Sequence, residues 1–210
     1  MAIHTILVAI GLFALTFLSP GPNLLVVVHA SLAQGRAAGI AAGLGVAAGD
    51  ALYAALGLFG MATLIASSGT LFAAVKVLGG AYLVWYGSRM ALRRRAPLRM
   101  APARREAPHS AGTYFRRGLL TDLANPQTVL FFASIFSVTL TAQTDAWTKL
   151  GIWLGMFLTS VIWRLGVSQA FSLAAVRRIY QRVESGLERV VGVALGGFGL
   201  RLMLQGLRAR

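Results

Sequence analysis

The sequence predicts an all-α membrane protein with six transmembrane helices, of which the first and fourth are broken. Of the 210 residues, 57% are apolar and 12% are charged, and the mean hydropathy is +0.70. A soluble domain of this length could not bury so much apolar surface, so the surrounding solvent is expected to be lipid. Six apolar stretches reach the roughly 20 residues that a helix needs to cross a bilayer. Proline interrupts two of these stretches.

The six predicted spans form one transmembrane domain over residues 1–210. They cover residues 3–30, 37–66, 70–92, 114–141, 149–174 and 190–207. The first repeat is expected over about 1–92 and the second over about 114–210. Residues 93–113 between them form a basic, proline-containing loop. A cleaved signal peptide is the alternative for the first span, but no Lys or Arg precedes its apolar core.

Arginine placement predicts the orientation in the membrane. Arg36 lies between spans 1 and 2, eight arginines lie between spans 3 and 4, and four lie between residues 177 and 189. The other connections carry almost none. Because cytoplasmic loops are enriched in Lys and Arg, the basic connections are expected in the cytoplasm and both termini outside. Arg201, Arg208 and Arg210 near the C-terminus oppose this orientation.

The two halves of the chain look related. The sequence LGGAYL at 78–83 in span 3 resembles LGGFGL at 195–200 in span 6. Span 1 is interrupted at PGPN (20–23) and span 4 at Asn125-Pro126, the equivalent place. Three spans per repeat would make the repeats inverted, and matching interrupted spans are typical of a transporter site near the midplane. Chance similarity between glycine-rich apolar stretches is the alternative.

The first break contains Pro20, Gly21, Pro22 and Asn23. Proline lacks a backbone donor, so one helix should end near Leu18 and another should begin near Asn23. Non-helical backbone at membrane depth is tolerated where it lines a cavity, and the N-terminus of the second half-helix suits a carboxylate. We expect a binding surface here. A proline kink that serves packing alone is the alternative.

Three charged residues within the predicted spans are candidates for the site. Asp50 is central in span 2 and Arg164 is deep in span 5, where a charge costs about 2.5–3.5 kcal/mol. We expect them to face one cavity, either as an ion pair or as receptors for the two ends of a zwitterion. A fixed pair that only holds helices together is the alternative. Asp122, just before the second break, is either a proton carrier or ammonium ligand, or an interfacial residue in bulk water.

Composition argues against several other classes of protein. Cysteine is absent, and His4, His29 and His109 are scattered, so we expect no metal centre and no cofactor. We find no nucleophile constellation typical of an enzyme. The net charge of +14 could indicate nucleic acid, but no groove-reading motif accompanies it. Membrane lipid is the expected surrounding partner, and a homo-oligomer is compatible with the sequence.

Span 2 contains four glycines whose spacing is superficially similar to a phosphate-binding loop: Gly39, Gly43, Gly45 and Gly49. No strand precedes them, and the run ends at Asp50. Close packing between helices through small residues explains them better.

Several motifs together resemble the signatures of the lysine exporter (LysE) superfamily. They are SPGPN at 19–23, LAQGRAAG at 32–39, GLGVAAGD at 43–50, and GLLTDLANPQ at 118–127 with LFF at 130–132. Within that superfamily the sequence is similar to the homoserine/threonine exporter (RhtB) family over essentially the whole chain. The resemblance implies a bacterial inner-membrane exporter of amino acids, with threonine or homoserine as the leading substrates and protons as the coupling ion.

The resemblance also implies site residues. Pro20–Asn23, Asp50, Asn125 and Pro126 fall on the family's characteristic positions. Asp122 stands where many relatives have Asn, Gln127 stands where they have Lys, and ASIFSVTL at 133–140 lacks their usual proline. These departures surround the second break and leave the substrate open.

On this interpretation the half-helix amides and Arg164 hold a carboxylate, while Asp50, with Asp122, holds an ammonium group or exchanges a proton. Three alternatives remain. They are a transporter of a metal cation or a dipeptide, a membrane enzyme or electron carrier, and a scaffold that recruits partners through its basic loop.

Overall fold

The computed structural model describes residues 2–18, 21–67, 69–92, 109–141, 143–171 and 173–208. Within these ranges the chain forms eight helices: α1 Ala2–Thr16, α2 Pro22–Gln34, α3 Arg36–Ser67, α4 Gly69–Leu92, α5 Ala111–Leu123, α6 Pro126–Thr139, α7 Ala146–Ala170 and α8 Ala174–Arg208. No β-strand occurs in the described residues. The predicted all-α class is therefore confirmed for this part of the chain.

Both predicted breaks separate two helices. The first helix ends at Thr16 and the next begins at Pro22, within two residues of the prediction. At the second break, the Asn125 side chain accepts a hydrogen bond from the backbone N–H of Gln127 at 3.1 Å, and Pro126 occupies the first helical position. Proline is well placed there, because the first backbone N–H of a helix has no partner within the helix.

Three helical segments are long and apolar enough to cross a membrane: Arg36–Gly60, Ala146–Ala170 and Gly186–Arg208. A fourth span results if α5 and α6, which are bent by 60° relative to each other, are counted as one broken span. The number of six spans therefore stays a prediction.

The last helix is longer than the sequence predicted. Residues 175–189, expected as a basic connection, belong to α8, which has 35 residues. At 1.5 Å per residue this helix is about 52 Å long, well beyond the roughly 30 Å of hydrocarbon in a bilayer. The basic part therefore extends outside the apolar Gly186–Arg208 segment, as a helix and not as a loop. The arginines between 93 and 105 lie outside the described residues.

Helices α4 and α8 pack closely and run antiparallel. Small residues on each helix recur every seventh position and meet in pairs: Ala73 with Gly206, Gly80 with Gly199 and Gly87 with Gly192. A Cβ atom on any of these glycines would lie within 3.0 Å of the backbone of the other helix. This spacing allows the two backbones to approach directly, as small residues do in membrane helix pairs.

The four glycines singled out in the sequence of α3 serve close packing, as predicted. Each of the four faces a different neighbour: Gly39 faces Ser31, Gly43 faces Arg164, Gly45 faces the backbone at Phe115, and Gly49 faces Asp122. Helix α3 thus lies in the middle of the molecule, against α2, α5 and α7. Its central position brings Asp50 close to both broken helix pairs.

Helix α7 begins with Asp145 as its N-cap residue, and the carboxyl group of this residue can be titrated. Thr148 donates two hydrogen bonds to the Asp145 carboxylate, from its hydroxyl at 2.7 Å and from its backbone N–H at 2.8 Å. These bonds hold the pKa of the Asp145 carboxyl below its ordinary value of 3.8. A carboxyl group with a lowered pKa adds stability above its ordinary pKa, and this contribution is lost as the pH falls through the folded-state pKa.

We therefore expect the wild-type protein to melt at a higher temperature than Asp145→Asn at neutral pH. The difference should shrink as the pH falls below 3.8 and then vanish. Asparagine keeps the capping oxygen but carries no charge, so this variant isolates the ionic part of the cap. Thermal unfolding in detergent at several pH values measures the difference. A constant difference across this range would contradict the assignment.

Candidate functional site

The two helix breaks meet in space. Asn23, in the first turn of α2, donates from Nδ2 to Asp122 Oδ1 at 2.5 Å. Thr128, in the first turn of α6, donates from Oγ1 to the same oxygen at 3.0 Å. Gln127 Oε1 lies beside Gly21, 3.8 Å from where a Cβ atom would stand. Residues 99 or more positions apart in sequence therefore form one site.

A cavity of about 50 Å³ lies between the breaks. That volume holds a few water molecules or one small solute. Its lining residues are the apolar Phe13, Phe17, Leu24, Phe131 and Phe132, then Gly21, and the polar or charged Thr16, Asn23, Asp50, Asn125, Gln127, Thr128 and Arg164.

Asp50 and Arg164, which both line this cavity, form a buried ion pair. Arg164 Nη2 lies 3.6 Å from Asp50 Oδ2, and both side chains are about 95% buried. Ser160, one helical turn before Arg164, donates to the same Asp50 oxygen at 2.6 Å. The 3.6 Å separation is longer than a charge-assisted hydrogen bond of about 2.7–2.9 Å. The guanidinium therefore keeps hydrogen-bonding capacity.

The surroundings of Arg164 suit an anion. Its Nε is buried and has no hydrogen-bond partner in the part of the chain that the structure describes, which is costly for a charged donor. Its Cζ lies 5.1 Å from the centre of the Phe17 ring, and Phe17 stacks on Trp163 at 5.7 Å between centroids. The aromatic pair fixes the guanidinium from one side. A planar guanidinium held in this way can bind a carboxylate through two parallel hydrogen bonds.

Asp122 lies behind the cavity and does not line it. Its side chain is fully buried, with Asn23 and Thr128 on one carboxylate oxygen and Gly49 packed against the group. The alternative of an interfacial residue in bulk water is therefore wrong. Asp122 Oδ2 and Asn23 Oδ1 are buried acceptors for which the described residues supply no hydrogen-bond partner.

The structure brings most of the predicted site residues together. Five of them line the cavity: Gly21, Asn23, Asp50, Asn125 and Arg164. Pro22 and Pro126 begin α2 and α6 and so set the positions of the two breaks. Pro20 lies outside the described residues. The predicted meeting of Asp50 with Arg164 at one cavity is present in the structure, while their role in transport stays a prediction.

Sequence reasoning missed four polar residues of the cavity region: Thr16, Gln127, Thr128 and Ser160. Helical spacing could have found Ser160, which precedes Arg164 by four residues. Gln127 follows the second break directly and donates from Nε2 to the Tyr86 hydroxyl at 2.5 Å. No sequence pattern connects Gln127 with Tyr86, because α4 and α6 meet only in the folded chain.

The described residues contain no group of three or more His, Cys, Asp or Glu side chains placed to hold a metal ion. The polar groups at the cavity are instead one guanidinium, one carboxylate, amides and hydroxyls. This set matches an organic solute that carries both a positive and a negative group.

Broken apolar helices that meet at a small, buried, charged cavity are typical of membrane transport proteins. Comparison with protein families agrees: residues 14–206 match the family described as LysE type translocator, and the chain belongs to that family. The resemblance found in the sequence motifs is thereby confirmed, and the protein is a multi-pass membrane protein.

Several relatives match over most of the chain. A membrane protein of Escherichia coli, YahN, is 50% identical over 208 residues, 99% of this chain and 93% of the relative. A threonine efflux protein of Salmonella typhimurium is 30% identical over 191 residues, 89% of this chain and 91% of the relative. A leucine efflux protein of an Enterobacter species is 36% identical over 124 residues, 57% of this chain and 56% of the relative. No solved structure matches the chain significantly.

Proposed function

We propose that this protein exports a small zwitterionic amino acid across the bacterial inner membrane in exchange for protons. Threonine and homoserine are the leading substrates. The observation that carries the proposal is the cavity between the two helix breaks, which is lined both by an incompletely paired arginine, Arg164, and by Asn23, whose Oδ1 has no hydrogen-bond partner among the described residues. The names of the threonine and leucine efflux relatives support an amino acid as cargo.

Each part of such a substrate has a partner at the cavity. The Arg164 guanidinium, with its free Nε, receives the carboxylate. Asn23 Oδ1, a buried acceptor without a partner, receives the ammonium group. Thr16 and Thr128 also line the cavity, where their hydroxyl groups would hydrogen-bond to a substrate hydroxyl. Phe13, Phe131 and Phe132 in the same lining would cover its methyl or methylene groups.

Asp50 gives the exchange with protons a physical basis. Arg164 is paired either with the Asp50 carboxylate, as seen at 3.6 Å, or with the carboxylate of the substrate. For an exchange, proton and substrate must bind in alternation: the Asp50 carboxylate holds either a proton or the ammonium group of the substrate, and not both. A proton that enters from the periplasm therefore displaces the amino acid there, and the proton leaves to the cytoplasm before the next amino acid binds. Asp122 takes part by holding the Asn23 amide.

The architecture that we propose has six spans in two inverted repeats. Helices lie at all six predicted positions, and the antiparallel pairing of α4 with α8 is what a pseudo-twofold axis in the membrane plane would produce. With the basic connections in the cytoplasm, both termini face the periplasm. Rocking of one repeat against the other would then open the cavity to either side.

The remaining alternatives fit the cavity less well. A metal cation would meet the positive charge of Arg164, which lines the cavity. A dipeptide is larger than a single amino acid, and so small a cavity, about 50 Å³, favours the smaller substrate. The scaffold alternative depends on the basic loop, and a deletion can test it.

Deleting residues 98–108 should leave export largely intact. This deletion keeps Ser110, whose hydroxyl accepts a hydrogen bond from the Thr113 N–H at 3.3 Å and so caps α5. Threonine efflux from cells, compared with the intact protein at equal expression, measures the effect. A scaffold would lose its function with this loop, so loss of efflux with normal membrane insertion would favour the scaffold.

Transport by the purified protein tests the proposal directly. Liposomes containing the protein are loaded with labelled threonine, and efflux is followed with and without an imposed proton gradient. Efflux that depends on the gradient and is reduced by homoserine supports the proposal. If folded protein moves neither threonine nor any other amino acid in a panel, the proposed function is wrong.

Threonine amide should compete with threonine at least about tenfold more weakly than homoserine does. The amide lacks the carboxylate, so its binding leaves Arg164 without an anionic partner, and sites built around a polar group strongly reject analogues that lack it. Inhibition of labelled threonine efflux by each compound gives the comparison. Equal competition by the amide would remove Arg164 from substrate recognition.

A further inference from the structure

A second, much larger recess lies on the side of the bundle, between α3 and α7. It has a volume of about 800 Å³. One residue of α5 also lines it, and all its lining residues but one are apolar: Ala48, Ala51, Leu52, Ala55, Leu58, Phe59, Leu119, Ala146, Lys149, Leu150, Trp153 and Phe157. We call this recess the lateral groove. It shares no lining residue with the central cavity.

The groove exists because small residues of α3 face large residues of α7. Ala51 and Ala55 leave space that Trp153 and Phe157 border without filling it. Trp153 Nε1 donates to the Ala51 carbonyl at 3.0 Å, and its ring stacks on Phe157 at 5.8 Å between centroids. The indole N–H is therefore satisfied within the wall. Below Lys149 the groove offers a hydrocarbon surface.

The length of the groove corresponds to one leaflet. On α3 it runs from Ala48 to Phe59, and the rise between these two residues is about 16 Å. Half of a bilayer core is about 15 Å thick. Gly43 meets Arg164 and Ala51 meets Trp153. Helices α3 and α7 are therefore antiparallel.

This direction brings Phe59 and Lys149 to the same end of the groove. Trp147 lies two residues before Lys149 and is 82% exposed, as expected at the boundary between hydrocarbon and headgroups, where tryptophan is enriched. Lys149 therefore lies at headgroup level, and the rest of the groove lies beneath it in the hydrocarbon.

We infer that the lateral groove binds one acyl chain of a phospholipid from the leaflet at the N-terminal end of α7, with the Lys149 ammonium group on its phosphate. An anionic headgroup such as phosphatidylglycerol fits best, because Lys149 is the one charged residue among those that line the groove. A second copy of the protein is a poorer occupant, since pairing through this groove would bring two Lys149 side chains together. The inference does not depend on the proposed export activity.

Quenching of Trp153 fluorescence by brominated lipid tests the inference. The full-length protein with Trp85→Phe, Trp147→Phe and Trp163→Phe keeps Trp153 as its only tryptophan and is reconstituted in phosphatidylcholine. We expect brominated phosphatidylglycerol to quench Trp153 at a lower mole fraction than brominated phosphatidylcholine does. Lys149→Met should reduce this preference about fivefold, the effect of one cationic side chain near an anionic lipid.

Two matched controls accompany the test. Arg201→Met removes an exposed charge on α8 and should leave the preference unchanged. Ala55→Phe fills the groove and should abolish the preference, whereas Ala81→Phe, at an exposed position on α4, should not. Equal quenching by the two brominated lipids, or no effect of Lys149→Met, would overturn the inference. So would quenching that appears only when the protein is diluted in the membrane, which would mean that a second copy fills the groove.

Discussion

The Asp50→Asn protein should fold and insert normally but lose gradient-driven threonine efflux by at least about tenfold. Asparagine preserves the shape of the side chain and an oxygen that accepts the Ser160 hydroxyl, which lies 2.6 Å from Asp50 in the wild-type protein. It cannot take up or release a proton, and intramembrane acids are the usual proton sites of transporters. Efflux from liposomes with an imposed proton gradient measures the loss.

Exchange of labelled for unlabelled threonine without a gradient separates coupling from binding. We expect this exchange to persist in Asp50→Asn, because Arg164 remains available for the substrate carboxylate. Ser160→Ala is the matched control, since it removes the hydrogen bond to Asp50 and keeps the acid. It should retain gradient-driven efflux. Wild-type efflux by Asp50→Asn would remove Asp50 from the coupling mechanism.

Gly118→Val should prevent correct folding. Gly118 of α5 packs directly against the Ala42 carbonyl of α3, and a Cβ atom there would overlap with that oxygen. Valine would therefore force α3 and α5 apart, and overpacking of this kind costs about 1–3 kcal/mol or more. These two helices carry Asp50 and Asp122, so the site would be lost with the packing. The yield of monodisperse protein in detergent and its melting temperature measure the effect.

Gly197→Val is the matched control for this substitution. Gly197 lies on α8, and an added Cβ atom would have no neighbour within 4 Å. The variant should therefore behave like the wild type in both measurements. Equal behaviour of Gly118→Val and Gly197→Val would contradict the close packing of α3 against α5.

Much of the fold could be predicted because the signals are local. Apolar stretches and proline breaks gave the helices to within a few residues, since proline cannot continue a helix and apolar length is fixed by the bilayer. The predicted beginning of α8 was wrong, because the arginines before residue 190 were interpreted as a sign of a loop. Arginine is a good helix former, and residues 175–189 contain no proline.

The site could be predicted only in part. Asp50 and Arg164 were conspicuous because charge is rare in apolar spans, and opposite charges at equivalent positions suggested that they meet. Asp122 was left undecided, because its burial depends on Gly49 of another helix. Thr128 and Gln127 contribute through contacts with Asp122 and Tyr86. The contact of Gln127 with Tyr86 joins two distant segments and leaves no trace in local composition, and the contact of Thr128 with Asp122 forms only because the chain turns at the second break.

The paired glycines of α4 and α8 determine where the molecule can deform. Their backbones interlock at seven-residue intervals, so sliding either helix by one residue would press a side chain into the backbone of the other. The pair therefore resists sliding, so rocking of the two repeats would pivot about it. Helix α1 meets α7 differently, through the flexible ends of Ile6 and Ile10 against Gly151 and Gly155. Such a contact yields by rotamer changes, so α1 can shift along α7 at a lower energy than α4 can shift along α8.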